Sequence, residues 1–458
     1  MAQPEMSQKG QTYQNYGAVY TETPLPAYYV TPAPPPRTSF TSSRFFKAGI
    51  VALALLELSY LSRHLFIHKH PHIHPHPYPH WDDSISGLNH DADDCSVWDH
   101  YDPDHHSTSA YNGTTSASKR FDAGDKYSFT IPTSSSRYHF ASWGPIDKSS
   151  FEVIPVESDK DQIVVEVEVT KDPEGIARVC SLPSKSENDG ERYGVGFYAP
   201  RLRDRDNYYF PAFNVLVYVP TKSSQQHLNS FETRLGQFEH IFPDLSSSIN
   251  FSHLHVSAAN VPMTFESVTA TDVRVSGANA PIRGKLTSAT DLIVSNANRE
   301  IKGEYTLTQA GKIHLSNANA PIEADIHLKA GDFHPRPDYY VQASNANAPI
   351  SIKVVEQPTG SGLFFKASSV MSAVRVHLHA AFEGSFKLTN ILKQPYVEVI
   401  NKDDDPAGRG RERFVQFDRR GSTTSGRVGW GSPDDAKEHA PGDVKLDTIG
   451  APLELFFD

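Results

Sequence analysis

The most regular array of reactive side chains is HKHPHIHPHPYPH at 68–80. His68, His70, His72, His74 and His76 occupy every second position, so an extended backbone would set their imidazoles along one side. Neutral imidazole is a ligand for Zn²⁺, Cu²⁺ or Ni²⁺. Proline and aspartate surround the array, and a flexible tract offers little support around each ligand. The chemistry to expect is weak divalent-metal binding, and the alternative is a solvated stalk. Elsewhere the chemistry is dispersed. The chain has no G-x-S-x-G elbow, P-loop, H-E-x-x-H or C-x-x-C. Asp272, Asp291, Glu304, Glu323 and Asp325 are read as occupying unlike positions of a repeat, and are expected not to gather for acid–base work. His253, His255, His314, His377 and His379 fall at outward strand positions. No catalytic residue and no bound cofactor are expected. Asn112-Gly-Thr and Asn250-Phe-Ser are glycosylation sequons.

Composition sets the context for these groups. The chain has 458 residues, 38% of them hydrophobic, with a formal net charge of −11 and 33 prolines that cluster. This suits a globular body joined to a polar, non-globular segment. The negative balance argues against a general nucleic-acid binder, which needs a basic face to displace counterions. Two cysteines, Cys95 and Cys180, exclude a disulfide-stapled scaffold, and both pairing and free thiols remain open.

Residues 1–44 are rich in Pro, Tyr and Thr, lack hydrophobic periodicity and are expected to be a disordered tail. Residues 45–67, FFKAGIVALALLELSYLSRHLFI, are long enough to cross a hydrocarbon core of about 30 Å as a signal anchor. Glu57 at its centre and Arg63-His64 near its end also suit an amphipathic or buried helix. As a span it would have Arg37, Arg44 and Lys47 on the cytoplasmic side. The expectation is a single-pass protein with its C-terminal body extracellular or lumenal, against a cytoplasmic alternative. Residues 68–120 form the His/Asp/Pro-rich stalk.

The elements that must position any site begin near 121. Short β-branched and aromatic runs such as QIVVEVEVTK and FNVLVYVP alternate in strand fashion and predict a β-rich, sandwich-like region over 121–250. A repeat then takes over 251–458. SAANVPM at Ser257, SGANAPI at Ser276, SNANREI at Ser295 and SNANAPI at Ser316 and Ser344 recur at a period of about 20 residues. Leu254, Val273, Leu292, Ile313 and Val341 stand three residues before each Ser, and Val256, Val275, Val294, Leu315 and Ala343 one before. That period of two puts them on one inner strand face. Each copy therefore reads as strand, tight corner, strand. Asn260, Asn279, Asn298, Asn319 and Asn347 recur at the corner, where Asn tolerates a sharp turn and can stack as a hydrogen-bonded ladder. Degenerate copies at 365–378, 386–390 and 444–457 flank a charged insertion at 400–443. An all-β solenoid with lateral loops is the expected fold, with an antiparallel meander as the alternative.

The SNANAPI corners, with ARVCSLP, YGVGFYAP and GRVGWG, resemble a family of uncharacterised proteins of mushroom-forming fungi that carry a domain of unknown function. The repeats alone are similar to the bacterial putative-adhesin β-solenoid family. The resemblance covers about 120–458 and implies a solenoid fold and a surface location. It implies no site residues. The function expected is non-enzymatic and adhesin-like or structural, membrane-anchored, with a wall glycan or a protein as partner. A β-helix carbohydrate-active enzyme and a soluble intracellular scaffold are the alternatives.

Overall fold

The computed structural model describes residues 124, 126–172, 177–182, 184–186, 190–199, 210–221, 225–331, 336–400, 405–433 and 442–458. All lie in the compact unit Pro75–Asp458. The regular elements described are β-strands. The first group is β1 (Lys126–Pro132), β2 (Arg137–Trp143), β3 (Ser149–Glu157), β4 (Gln162–Lys171), β5 (Arg178–Ser181), β6 (Ser184–Ser186), β7 (Gly190–Tyr198) and β8 (Ala212–Thr221). The repeats supply β9 (Gln226–Arg234), β10 (Phe238–Asp244), β11 (Ile249–Ser257), β12 (Met263–Ser276), β13 (Ile282–Asn296) and β14 (Ile301–Leu307). They continue through β15 (Gly311–Asn317), β16 (Ile322–Leu328), β17 (Asp338–Asn345), β18 (Ile350–Glu356), β19 (Gly362–Ser369) and β20 (Val374–Leu378). The last group is β21 (Gly384–Asn390), β22 (Tyr396–Val399), β23 (Arg413–Arg420), β24 (Thr423–Trp430), β25 (Gly442–Thr448) and β26 (Leu453–Phe457).

These strands wind as a two-faced parallel solenoid. Each coil lays one strand in a first sheet, turns at the Asn-rich corner and lays the next in a second sheet. The first sheet runs β7, β2, β9, β11, the second halves of β12 and β13, then β15, β17, β19, β25 and β21, all in parallel pairs. The second runs β8, β3, β10, the first halves of β12 and β13, β14, β16, β18, β20, β26 and β22, also parallel. Parallel pairing selects the solenoid over the meander, because a meander joins neighbours antiparallel. Among the described residues, antiparallel strands occur only towards the two ends: β1, β4, β5 and β6 at one, β24 and β23 at the other. The C-terminal coil departs from chain order. β25 and β26 slot between the β19–β20 coil and the β21–β22 coil.

The alternating side chains explain the stack. Leu254, Val256, Val273, Val275, Leu292, Val294, Ile313 and Leu315 are buried in one continuous core that runs from Ile131 to Phe457. Parallel neighbours share register, so like residues stack over like and each coil adds the same layer. Nearer the N-terminal end the layers are aromatic: Phe140 meets Phe151 at 5.0 Å, Phe197 meets Phe238 at 5.0 Å and Phe242 meets Phe265 at 5.0 Å. Where β12 and β13 bend between sheets the register shifts between Phe265 and Val268. Gly284 permits this close approach: with φ +138, a Cβ there would lie 1.9 Å from the Phe265 carbonyl oxygen.

One expectation is corrected. A single-pass topology with an extracellular or lumenal body rested on a transmembrane helix, but the described chain is entirely β. No helix among the described residues is long and apolar enough to cross a membrane. Residues 45–67 themselves lie outside the described residues, as do His68, His70, His72, His74, His76 and Asn112. Cys180 in β5 is disulfide-bonded; the chain's other cysteine, Cys95, lies outside the described residues.

Candidate functional site

The corner that links the two sheets uses both asparagines of the SNAN sequence, in different ways. The second is exposed and forms a chain along the stack. Asn279 Nδ2 donates to Asn260 Oδ1 at 2.8 Å, Asn298 to Asn279 at 2.6 Å, Asn319 to Asn298 at 2.7 Å and Asn347 to Asn319 at 2.7 Å. The first is buried and is the position that sequence reasoning missed. Asn345 Nδ2 donates to the Ala320 carbonyl at 2.8 Å, while its Oδ1 accepts from the Asn347 and Ala348 amides at 3.2 and 3.1 Å. Asn296, Asn317 and Asn390 make the same donation to Ala280, Arg299 and Ala451 at 2.8, 2.7 and 2.7 Å. Each amide thus satisfies corner groups that burial would otherwise strand. A signal was available: these residues fall two positions after Val294, Leu315 and Ala343, on the inward phase of the strand.

Outside the core the two sheets differ. The second sheet's outer face is paired with itself across coils: Lys285 with Glu304 at 3.0 Å, Lys302 with Glu323 at 2.8 Å, Arg375 with Glu454 at 2.6 Å, and Arg283 with Glu300. The first sheet's outer face carries an in-register row of six half-buried serines next to the corner, Ser257, Ser276, Ser295, Ser316, Ser344 and Ser368. Coil spacing repeats the hydroxyl about every 4.8 Å.

Further from the corner the same face gathers a charged strip. Glu232 in β9 is 2% exposed, and Arg137, brought from β2, donates to its Oε2 through Nε at 2.9 Å. Arg234 Nε donates to Oε1 at 2.8 Å. His139 Nδ1 lies 3.6 Å from Oε2 and His255 Nδ1 3.9 Å from Oε1, both beyond hydrogen-bond range. Burial alone would raise the Glu232 pKa; His139 and Arg137 outweigh it and hold the carboxylate well below its usual range. Burial, helped by Arg234, Arg274 and Arg137, lowers His255 to about 4 against the pull of Glu232.

The next coils add a carboxylate pair. Asp272 and Asp291 face each other in register on β12 and β13, and Glu304 faces Asp325 on β14 and β16. This corrects the reading that these residues occupy unlike repeat positions, for each of the two pairs; the pairs themselves lie on different sheets, and Glu323 joins neither. Asp272 and Asp291 each stand one residue before the aligned Val273 and Leu292, which is the same repeat position. Their environments diverge. The His253 hydrogen bond, at 2.9 Å, lowers Asp272 despite burial, and Thr290 Oγ1 donates to it at 2.6 Å. Burial raises Asp291. Asn250 of the second sequon lies half-buried near the start of β11, against His227 and Thr269 of the adjoining strands. Among the described residues, no group of three or more His, Cys, Asp or Glu is arranged to hold a metal ion.

No protein-family model matches the chain, and no curated protein matches it in sequence. Solved structures similar to it include a putative cell adhesion protein from Clostridium sporogenes, with 6% identity and a TM-score of 0.18, covering 73% of this chain and 100% of that one. A putative adhesin from Parabacteroides merdae shows 9% identity and a TM-score of 0.28, covering 56% of this chain and 90% of that one. A putative adhesin from Parabacteroides distasonis shows 14% identity and a TM-score of 0.24, covering 56% and 94%. The likeness is thus to bacterial putative adhesins, and the fungal resemblance has no counterpart in it. At these identities and TM-scores it carries no argument about function.

Proposed function

We propose that this chain is a non-enzymatic, adhesin-like β-solenoid that holds an extended, hydroxyl-rich polymer, a glycan, against the outer face of its first sheet. The observation that carries this reading is the in-register serine row beside the asparagine ladder. It supplies hydrogen-bonding groups at one repeat along a rigid support, while the opposite face spends its charges on internal pairs. A repeating ligand would meet an identical contact at each coil, so weak contacts add without a deep pocket. The test is retention of the full chain on a panel of insoluble glycans. Ser295→Val with Ser316→Val is expected to abolish retention, and Ser351→Val on the second sheet to leave it unchanged. No retention on any glycan, or equal loss from both variants, would refute the reading.

One observation favours a second reading. Two facing carboxylates whose pKa values are pushed apart are the arrangement that general acid–base chemistry on a glycosidic bond uses. Asp272 would then serve as the ionised partner and Asp291 as the acid. Release of reducing ends from a bound glycan, lost in Asp291→Asn, would replace the binding reading with this one.

A further inference from the structure

The C-terminal end of the solenoid is stepped. In the first sheet the stack continues past β21 through β24 and β23, whereas in the second it stops at β22. β21 and β22 belong to one coil, so the first sheet overhangs the second by two strands, about 10 Å. Among the described residues, β22 pairs only with β26 and β23 only with β24. Each therefore offers an open edge. The free side of β22 can be read from its paired side: the Ile400 amide donates to the Phe457 carbonyl at 2.9 Å, so by alternation the Val399 amide points away from β26.

The core is also left open here. Val399 faces Phe457 and Phe417 faces Gly426 and, beyond it, Phe386, so both side chains share the inward face. Yet Val399 is 37% and Phe417 41% exposed. Of the nine exposed large apolar residues described, six belong to this last coil and its hairpin: Ile391, Leu392, Tyr396, Val399, Ile400 and Phe417. None lies at the other end. The β22 edge is thus open and apolar, whereas β23 carries Arg413, Asp418, Arg419 and Arg420, with the Arg419 guanidinium over the Phe417 ring at 5.0 Å.

We propose that this stepped end is a dimer interface whose occupant is a second copy of the same chain, related by a twofold axis that sets the first sheet of each copy against the second sheet of its partner. Only that pairing closes both sheets. The two-strand overhang of one copy fills the two-strand notch of the other, β23 of one copy pairs with β22 of its partner, and this happens twice. Setting first sheet against first sheet would instead leave both β22 edges four strands apart. The charges agree with this choice. Glu398, outward on β22, comes beside the outward Asp418–Arg420 ion pair of β23, 2.6 Å within one copy, whereas the rejected pairing sets two arginine-bearing hairpins edge to edge. The joint is isologous, so assembly stops at two.

Sedimentation or light scattering of the full chain at micromolar concentration reads the outcome. The expected mass is twice that of the chain and independent of concentration. Val399→Pro removes the outward donor and no internal bond, and is expected to weaken the dimer at least tenfold. Glu398→Arg and Arg420→Glu should each weaken it about tenfold, at roughly 0.7 kcal/mol for each of the two contacts, and the two together should restore it. A monomer, a mass that keeps rising with concentration, or a dimer indifferent to these changes would overturn the proposal. Normal circular dichroism of the restored double variant separates lost association from lost folding.

Discussion

Acid should loosen this solenoid from the inside, and His240 is where the effect is largest. Its side chain points into the core between Phe151 at 5.5 Å and Phe242 at 6.4 Å, with Nε2 2.8 Å from Thr233 Oγ1 and no exposed surface. Burial lowers its pKa from 6.5 to about 3. The unfolded chain therefore binds a proton below about pH 6.5 that the folded chain refuses, so stability is complete above that pH and falls as pH drops towards 3. At 1.36 kcal/mol per unit, the loss is about 2 kcal/mol at pH 5 and about 4 kcal/mol at pH 3. His255, lowered to about 4, adds a loss of the same sign and up to about 3 kcal/mol. The assay is urea unfolding of the full chain followed by circular dichroism between about pH 5 and 7. The double change His240→Phe with Thr233→Val removes the titrating ring without stranding the threonine hydroxyl. Its stability should fall with acid less steeply than that of the parent, by about 1.3 kcal/mol per pH unit near pH 5. An unchanged slope would refute the assignment of His240 as a neutral, buried group.

Three further outcomes follow from the same structure. Asn345→Ala strands a buried corner carbonyl and two amides and should cost about 2–3 kcal/mol in urea unfolding, whereas Asn347→Ala, at the exposed end of its ladder, should cost less than about 1; the reverse order would contradict the corner mechanics. Arg137→Met removes the main counter-charge of buried Glu232 and should destabilise by about 3 kcal/mol, and Glu232→Gln in the same chain should recover much of that loss. Because Cys180 is disulfide-bonded and the chain has one other cysteine, intact mass before and after reduction should differ by two hydrogens, and Cys95→Ser should expose the Cys180 thiol to alkylation.

Period-two alternation and a recurring corner made the inner face of each repeat legible before any coordinates, because both are local properties of a strand and a turn. Val273, Val275 and Leu292 declare their orientation within five residues of sequence. The same alternation runs through Asn296, Asn317 and Asn345, yet in SNAN a buried and an exposed amide look alike, and only satisfaction of the corner carbonyls tells them apart. The facing Asp272 and Asp291 were also there to be read from the aligned positions. Stack order was not. Nothing local says that β25 and β26 enter between two earlier coils, since parallel pairing depends on which edge is free once β23 and β24 have folded back as a hairpin. The Glu232 site likewise depends on β2 lying beside β9, which joins residues far apart in the chain. The sequence by itself determined the layer that each repeat contributes, because side-chain direction along a strand is a short-range consequence of backbone geometry. Only the tertiary structure decided which layers adjoin, which polar groups they bury together and where the stack is left open, because those follow from edge-to-edge pairing of strands that the chain alone does not order.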